Sequence, residues 1–87
     1  MAWHGPASSP MVEYVVDFVP AAGWQKWYSA DDPEPRSYDR TERSLPLNVR
    51  LTRHCNARAS EGWKLVSVGV HEYYGWPAVS LFFAKGD

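Results

Sequence analysis

The stretch from Leu45 to Val70, LPLNVRLTRHCNARASEGWKLVSVGV, decides the fold, because it reads as a helix, a glycine stop and a strand in direct succession. Ser44 is placed to cap the helix, since its hydroxyl can accept from a free N–H of the first turn. Pro46 falls inside that turn, where a missing N–H costs little. Leu47, Leu51, Cys55 and Ala59 recur every four residues and form one apolar stripe. Arg50, Arg53 and Arg58 lie off the stripe and are expected to face water or a partner. Gly62 then ends the helix, because it takes the left-handed C′ conformation without a Cβ penalty. Trp63 is expected to seal the helix against the sheet. The β-branched run Leu65-Val66-Ser67-Val68-Gly69-Val70 follows as a strand.

Ser60-Glu61-Gly62-Trp63-Lys64-Leu65-Val66-Ser67-Val68 is similar to the hallmark segment of a small bacterial domain family of unknown function. Members start with a strand like Glu13-Tyr14-Val15-Val16, pass through a helix into Ala-Glu-Gly-Trp-Glu-Leu-Val-Ser and close with a hairpin strand. This chain has Ser60 at the Ala position and Lys64 at the second Glu position. The likeness covers roughly 12–19 and 47–85. It implies a β-α-β-β fold, and it implies no reaction, cofactor or catalytic residue.

Outward from that core, Met11 to Val19 reads as the first strand. Tyr14, Val16 and Phe18 alternate with Glu13, Val15 and Asp17, which fits a sheet covered by a helix on one side. The segment 70–87 closes the fold. His71-Glu72-Tyr73-Tyr74-Gly75-Trp76-Pro77 carries turn residues, and Ala78 to Lys85 is a strand with Val79, Leu81 and Phe83 in alternation. The expected architecture is therefore α+β: β-α-β-β, a three-stranded sheet with one helix packed on one face. Residues 1–10 read as a flexible arm carrying Trp3 and His4, and 11–87 as a single domain. The uncovered face keeps apolar groups such as Val15, Val66 or Phe82, so a partner is expected there.

Residues 20–44 form a long insertion, PAAGWQKWYSADDPEPRSYDRTERS, with no clean period. Loops of that length in so small a domain tend to be functional or disordered. A disordered linker is normally poor in aromatics. Gly23 to Ser29 is thus expected to pack on the body or extend the first strand, with Asp31 to Arg36 an exposed turn.

Composition narrows the function. Eighty-seven residues make one domain at most, and five Trp are a heavy load for so small a core. Some aromatics should therefore sit at an interface, where Trp, Tyr and Arg are favoured anchors. A formal net charge of −1 argues against a general nucleic-acid or membrane binder. A lone cysteine has no internal disulfide partner, which favours a reducing compartment. The N-terminus lacks the basic and apolar regions of a secretory leader, and no apolar run approaches a membrane span. A soluble, cytoplasmic protein is expected.

Chemistry finds little support. His54-Cys55, with His4 and His71, matches no recognised ligand spacing, so no metal and no cofactor are expected. Cys55 lies on the apolar stripe, where a free cysteine usually acts as a small hydrophobe. Asp17, Glu61, Glu72 and His71 could meet near the sheet ends, but no catalytic motif joins them. From Arg36 to Arg58 six arginines stand against Asp39 and Glu42, a local balance of +4. Arg50, Arg53 and Arg58 are therefore candidate contacts to an anion or an acidic partner; nucleic acid is not favoured.

The expected function is non-enzymatic: a small interaction or accessory subunit that self-associates or docks on a larger protein. Its contacts would be Trp24, Trp27, Tyr28, Tyr73, Tyr74 and Trp76. The alternative is a small-ligand binder or enzyme with a pocket near Tyr14, His71, Tyr73 and Trp76.

Overall fold

Among the residues described by the computed structural model, 12–30 and 32–86, five strands and two helices follow one another. They are β1 (Glu13–Pro20), β2 (Trp27–Ser29), β3 (Asp32–Arg36), α1 (Arg40–Arg43), α2 (Leu47–Ser60), β4 (Lys64–Tyr73) and β5 (Trp76–Lys85). The strands make one antiparallel sheet in the order β3-β2-β1-β5-β4. The class is α+β, but the expected three-stranded sheet is corrected to five strands. The two extra strands come from the insertion 20–44: Asp32–Arg36, expected within an exposed turn over Asp31 to Arg36, is a strand, and residue 31 lies outside the described residues. Trp27–Ser29 is too short for its alternation to show in sequence. Pro33 and Pro35 mask β3 because proline lacks the ladder donor, yet an edge strand tolerates that loss. The arm 1–10, with Trp3 and His4, lies outside the described residues.

Residues opposite each other in neighbouring strands share a face of the sheet. Val15, Asp17 and Val19 stand opposite Phe83, Leu81 and Val79, and this is the face that α2 covers. Val15, Val19, Trp63, Val79, Leu81 and Phe83 form the buried core, with Tyr38, Leu47, Leu51 and Cys55 packed against it. The alternation in β1 is therefore inverted relative to the sequence reading. Tyr14, Val16 and Phe18 point to the open face, where Tyr14 is 71 % exposed. The inversion follows from Asp17, whose carboxylate is held inside by two partners from the helix.

The helix begins differently from the expectation as well. Ser44 ends α1, donating its hydroxyl to the Thr41 carbonyl, and Pro46 takes the N-cap position of α2. The true capping side chain upstream is Asp39, which accepts from the Glu42 N–H at 2.7 Å. The C-terminus of α2 matches its sequence. Gly62 has φ 92°, its N–H donates to the Ala59 carbonyl, and the Trp63 N–H donates to that of Arg58. That pair of bonds satisfies the last carbonyls and turns the chain straight into β4. Trp63 is buried, as the sealing role requires.

The two sheet edges differ. β3 carries two prolines and charged residues, a common protection against further pairing. β4 is ten residues long, with charges only at Lys64 and Glu72, and Val66, Val68 and Val70 are all more than half exposed. Val68 and Val70 stand opposite Leu81 and Val79, on the helix side, but α2 does not cover them. A bulge between Leu65 and Ser67 leaves Ser67–Tyr73 as the regular run of this edge.

Candidate functional site

Two regions concentrate chemistry that packing alone does not require. The first lies between α2 and the β1–β2 side of the sheet. Asp17 is fully buried, and its carboxylate accepts from Arg58 Nε at 2.7 Å, Arg58 Nη2 at 2.8 Å and His54 Nε2 at 2.7 Å. Arg58 Nη2 also donates to the Ser29 hydroxyl at 2.6 Å. Burial on its own would raise the Asp17 pKa. The hydrogen bonds from Arg58 and His54, with their charges, outweigh it and hold the carboxyl well below the usual carboxylate range.

A cleft of about 690 Å³ opens above this network. Trp27 and Tyr38 wall it, with ring centroids 6.3 Å apart, and the edge of His54 meets Trp27 at 4.9 Å. Arg36 lies over the Trp27 ring at 5.2 Å and Arg50 over Tyr38 at 5.0 Å. The Tyr38 hydroxyl is buried and has no hydrogen-bond partner among the described residues. Burial pushes its pKa up, with Arg50 opposing.

The arginines marked in the sequence thus separate. Arg50 and Arg58 are buried, correcting the expectation that they face outward. Arg50 ties the start of α2 to the end of β1 by donating to the Leu45, Pro20 and Ala21 carbonyls. Arg53 is exposed on the cleft rim and has no partner among the described residues. Positions 50, 54 and 58 recur every four residues, which makes the inner face of α2 polar where an apolar stripe was expected. Only Leu47, Leu51 and Cys55 of that stripe pack on the core; Ala59 is exposed. Burial raises the Cys55 pKa, and the Asp17 charge raises it further, so the thiol stays protonated as a hydrophobe would.

The second region is the hairpin end of the open face. Trp24 meets Trp76 edge-on at 6.1 Å, Phe18 contacts Tyr73 at 4.9 Å and Tyr28 at 6.4 Å, and Tyr73 contacts Tyr74 at 4.6 Å. A groove of about 460 Å³ runs between Trp24, Tyr28, Tyr73 and Tyr74. Five of the six aromatic residues marked as partner contacts therefore meet at one end. Trp27 does not: it faces the helix side and the cleft. Pairing with β1 explains the split, since consecutive residues of a strand point to opposite faces.

The pocket suggested for Tyr14, His71, Tyr73 and Trp76 does not form. Tyr14 stands opposite Ala84, eight residues along β5 from Trp76, which is about 26 Å at ~3.3 Å per residue. His71 bonds to the Ser80 hydroxyl at 2.8 Å. Among the described residues no three His, Cys, Asp or Glu side chains are grouped to hold a metal, and no helix is long and apolar enough to cross a membrane.

No protein-family model, no curated protein and no solved structure matches the chain. Function must be argued from the geometry.

Proposed function

We propose that this protein is a non-enzymatic interaction subunit that associates, first of all with a second copy of itself, through its aromatic end and the β4 edge. The observation that carries the reading is Tyr74. It occupies the first central position of the β4–β5 turn with φ 50°, followed by Gly75 at φ 78°, the signature of a type I′ turn. Such a position prefers Asn, Asp or Gly, because a Cβ crowds the left-handed conformation. Tyrosine is retained there at a local cost, 81 % exposed, beside Tyr73 and next to the Trp24–Trp76 pair. A bulky ring held in an unfavourable backbone state at a solvent-facing tip is best explained by what it touches on a partner.

The β4 edge supports the choice of a second copy. Antiparallel pairing of two identical edges is a two-fold operation, which closes a dimer. Lys64 and Glu72 have opposite signs at opposite ends of the strand, so antiparallel pairing draws unlike charges together. The uncharged run between them has nothing to repel a neighbour.

Two variants test this. Tyr74→Asn is expected to raise the stability of the monomer by about 0.5–1 kcal/mol, by relieving the turn, and at the same time to weaken association. Thermal unfolding of dilute protein reads the first effect and sedimentation the second. Val68→Lys, at a half-exposed edge position, should weaken association with little change in the monomer fold. Unchanged association in both variants contradicts the proposal.

A further inference from the structure

We infer that the cleft between Trp27, Tyr38 and α2 is a binding site for a small phosphorylated molecule. The inference is independent of the association surface, whose aromatic end lies on the other face of the sheet and whose β4 edge is at the opposite side of the sheet from β2 and β3. Four arginines, at 36, 50, 53 and 58, line the cleft with Glu42 and Glu61; Arg58 is paired with Asp17 and Glu61 and Arg36 lies over Trp27, so Arg50 and Arg53 supply the charge that carries the inference. Asp17, beneath, is already engaged by Arg58 and His54. Arg50 is buried with only carbonyl acceptors, so its charge is not neutralised by any carboxylate among the described residues. A buried cation that lacks a counter-ion projects a positive potential into the space beside it. Arg53, on the same rim, has no partner among the described residues.

Tyr38 supplies the second, separate observation. A buried hydroxyl with no hydrogen-bond partner is uncommon, because leaving it unmade costs free energy. This one belongs to a residue that lines the cleft, with Arg50 beside it; its oxygen is closed to solvent in the empty site, so a ligand oxygen completes it after a turn of the ring. The available donors come from different directions: Arg53 from α2, and the Ser37 and Tyr38 hydroxyls from the segment after β3. A tetrahedral phosphate with three free oxygens uses such a spread better than a planar carboxylate, which one arginine fork satisfies. The Trp27 and Tyr38 rings offer apolar faces to the rest of the molecule, and the volume suits a small ligand.

The indole N–H resonance of Trp27, identified by its loss in Trp27→Phe, is followed during titration with inorganic phosphate. Chloride at matched ionic strength is the control, and acetate is a parallel arm. Phosphate should move the signal saturably, and chloride should not. Arg53→Ala should weaken binding about tenfold, as expected for one charge-assisted contact. Arg53 has no partner among the described residues, so that variant is expected to fold as the parent does. Tyr38→Phe should also weaken phosphate, while the unliganded protein melts at an equal or higher temperature because only an unpaired buried hydroxyl is lost. A response equal to that of chloride, or one unaltered in both variants, overturns the site. Acetate binding as tightly as phosphate overturns the ligand class.

Discussion

Asp17→Asn is expected to remove most of the stability of this domain. The side chain is fully buried, and its carboxylate is shared by Arg58 and His54. Removing the charge leaves the buried Arg58 guanidinium with the exposed Glu61 carboxylate, 3.4 Å from Nη1, in place of its buried anion, and breaking a buried pair costs about 3–5 kcal/mol. Small domains have about 5–15 kcal/mol in total, so the variant is expected to be unfolded or close to it. In urea, with a slope of about 1 kcal/mol/M for a chain of this size, the midpoint should fall by roughly 3 M or more. Trp63, buried beside Arg58, reports the transition by fluorescence. The double replacement Asp17→Leu with Arg58→Met should recover much of the loss, because apolar side chains of similar volume need no counter-charge. A midpoint within experimental error of the parent for Asp17→Asn would contradict the network described here.

The same group sets an acid dependence with a definite sign. Its folded pKa is depressed, so its contribution is fully present above the unfolded value of about 3.9. The contribution is lost only as pH falls from there through the much lower folded value. The stability difference between parent and Asp17→Asn should therefore shrink as pH falls below about 4.

The second large effect is on association. Trp24 and Trp76 pack edge to face at the hairpin end and are 67 % and 49 % exposed. Little of either ring supports the monomer, so replacing both with Ala should leave the fold intact. At an interface, aromatic anchors of this kind contribute about 2 kcal/mol or more each. The dissociation constant of the Trp24→Ala, Trp76→Ala protein should rise about 1,000-fold, at roughly 30-fold for each anchor. Trp27 behaves differently. It packs on His54 and Tyr38 beneath Arg36, so Trp27→Ala should disturb the cleft and spare the aromatic end.

The sequence was most legible where one local cause decides the structure. Gly62 stops the helix because its own φ permits the turn, and Val79, Leu81 and Phe83 alternate cleanly because they face the centre of the core. It was least legible where a distant residue decides. Nothing in the pattern of β1 says that an aspartate belongs inside, and only Arg58 and His54, some forty positions on, make that favourable. With Asp17 inside, the apolar residues Tyr14, Val16 and Phe18 are turned outward. The same pairing explains why Arg50 and Arg58, expected with Arg53 to face water or a partner, turn inward beside His54. Strands β2 and β3 were hidden for another reason: three residues are too few to show a period, and two prolines read as a break. The aromatic end was partly visible, since five of its members were marked from composition alone. Their meeting point required the register that places Trp24 beside Trp76.

The most direct test of the central claim is sedimentation equilibrium of the purified chain over a range of concentrations, beside the Trp24→Ala, Trp76→Ala protein. A reversible dimer or larger assembly is expected for the parent and a shift to monomer in the variant, with unchanged far-UV circular dichroism. A parent that remains monomeric at every concentration, with the variant indistinguishable from it, would contradict the claim that this surface joins copies of the chain.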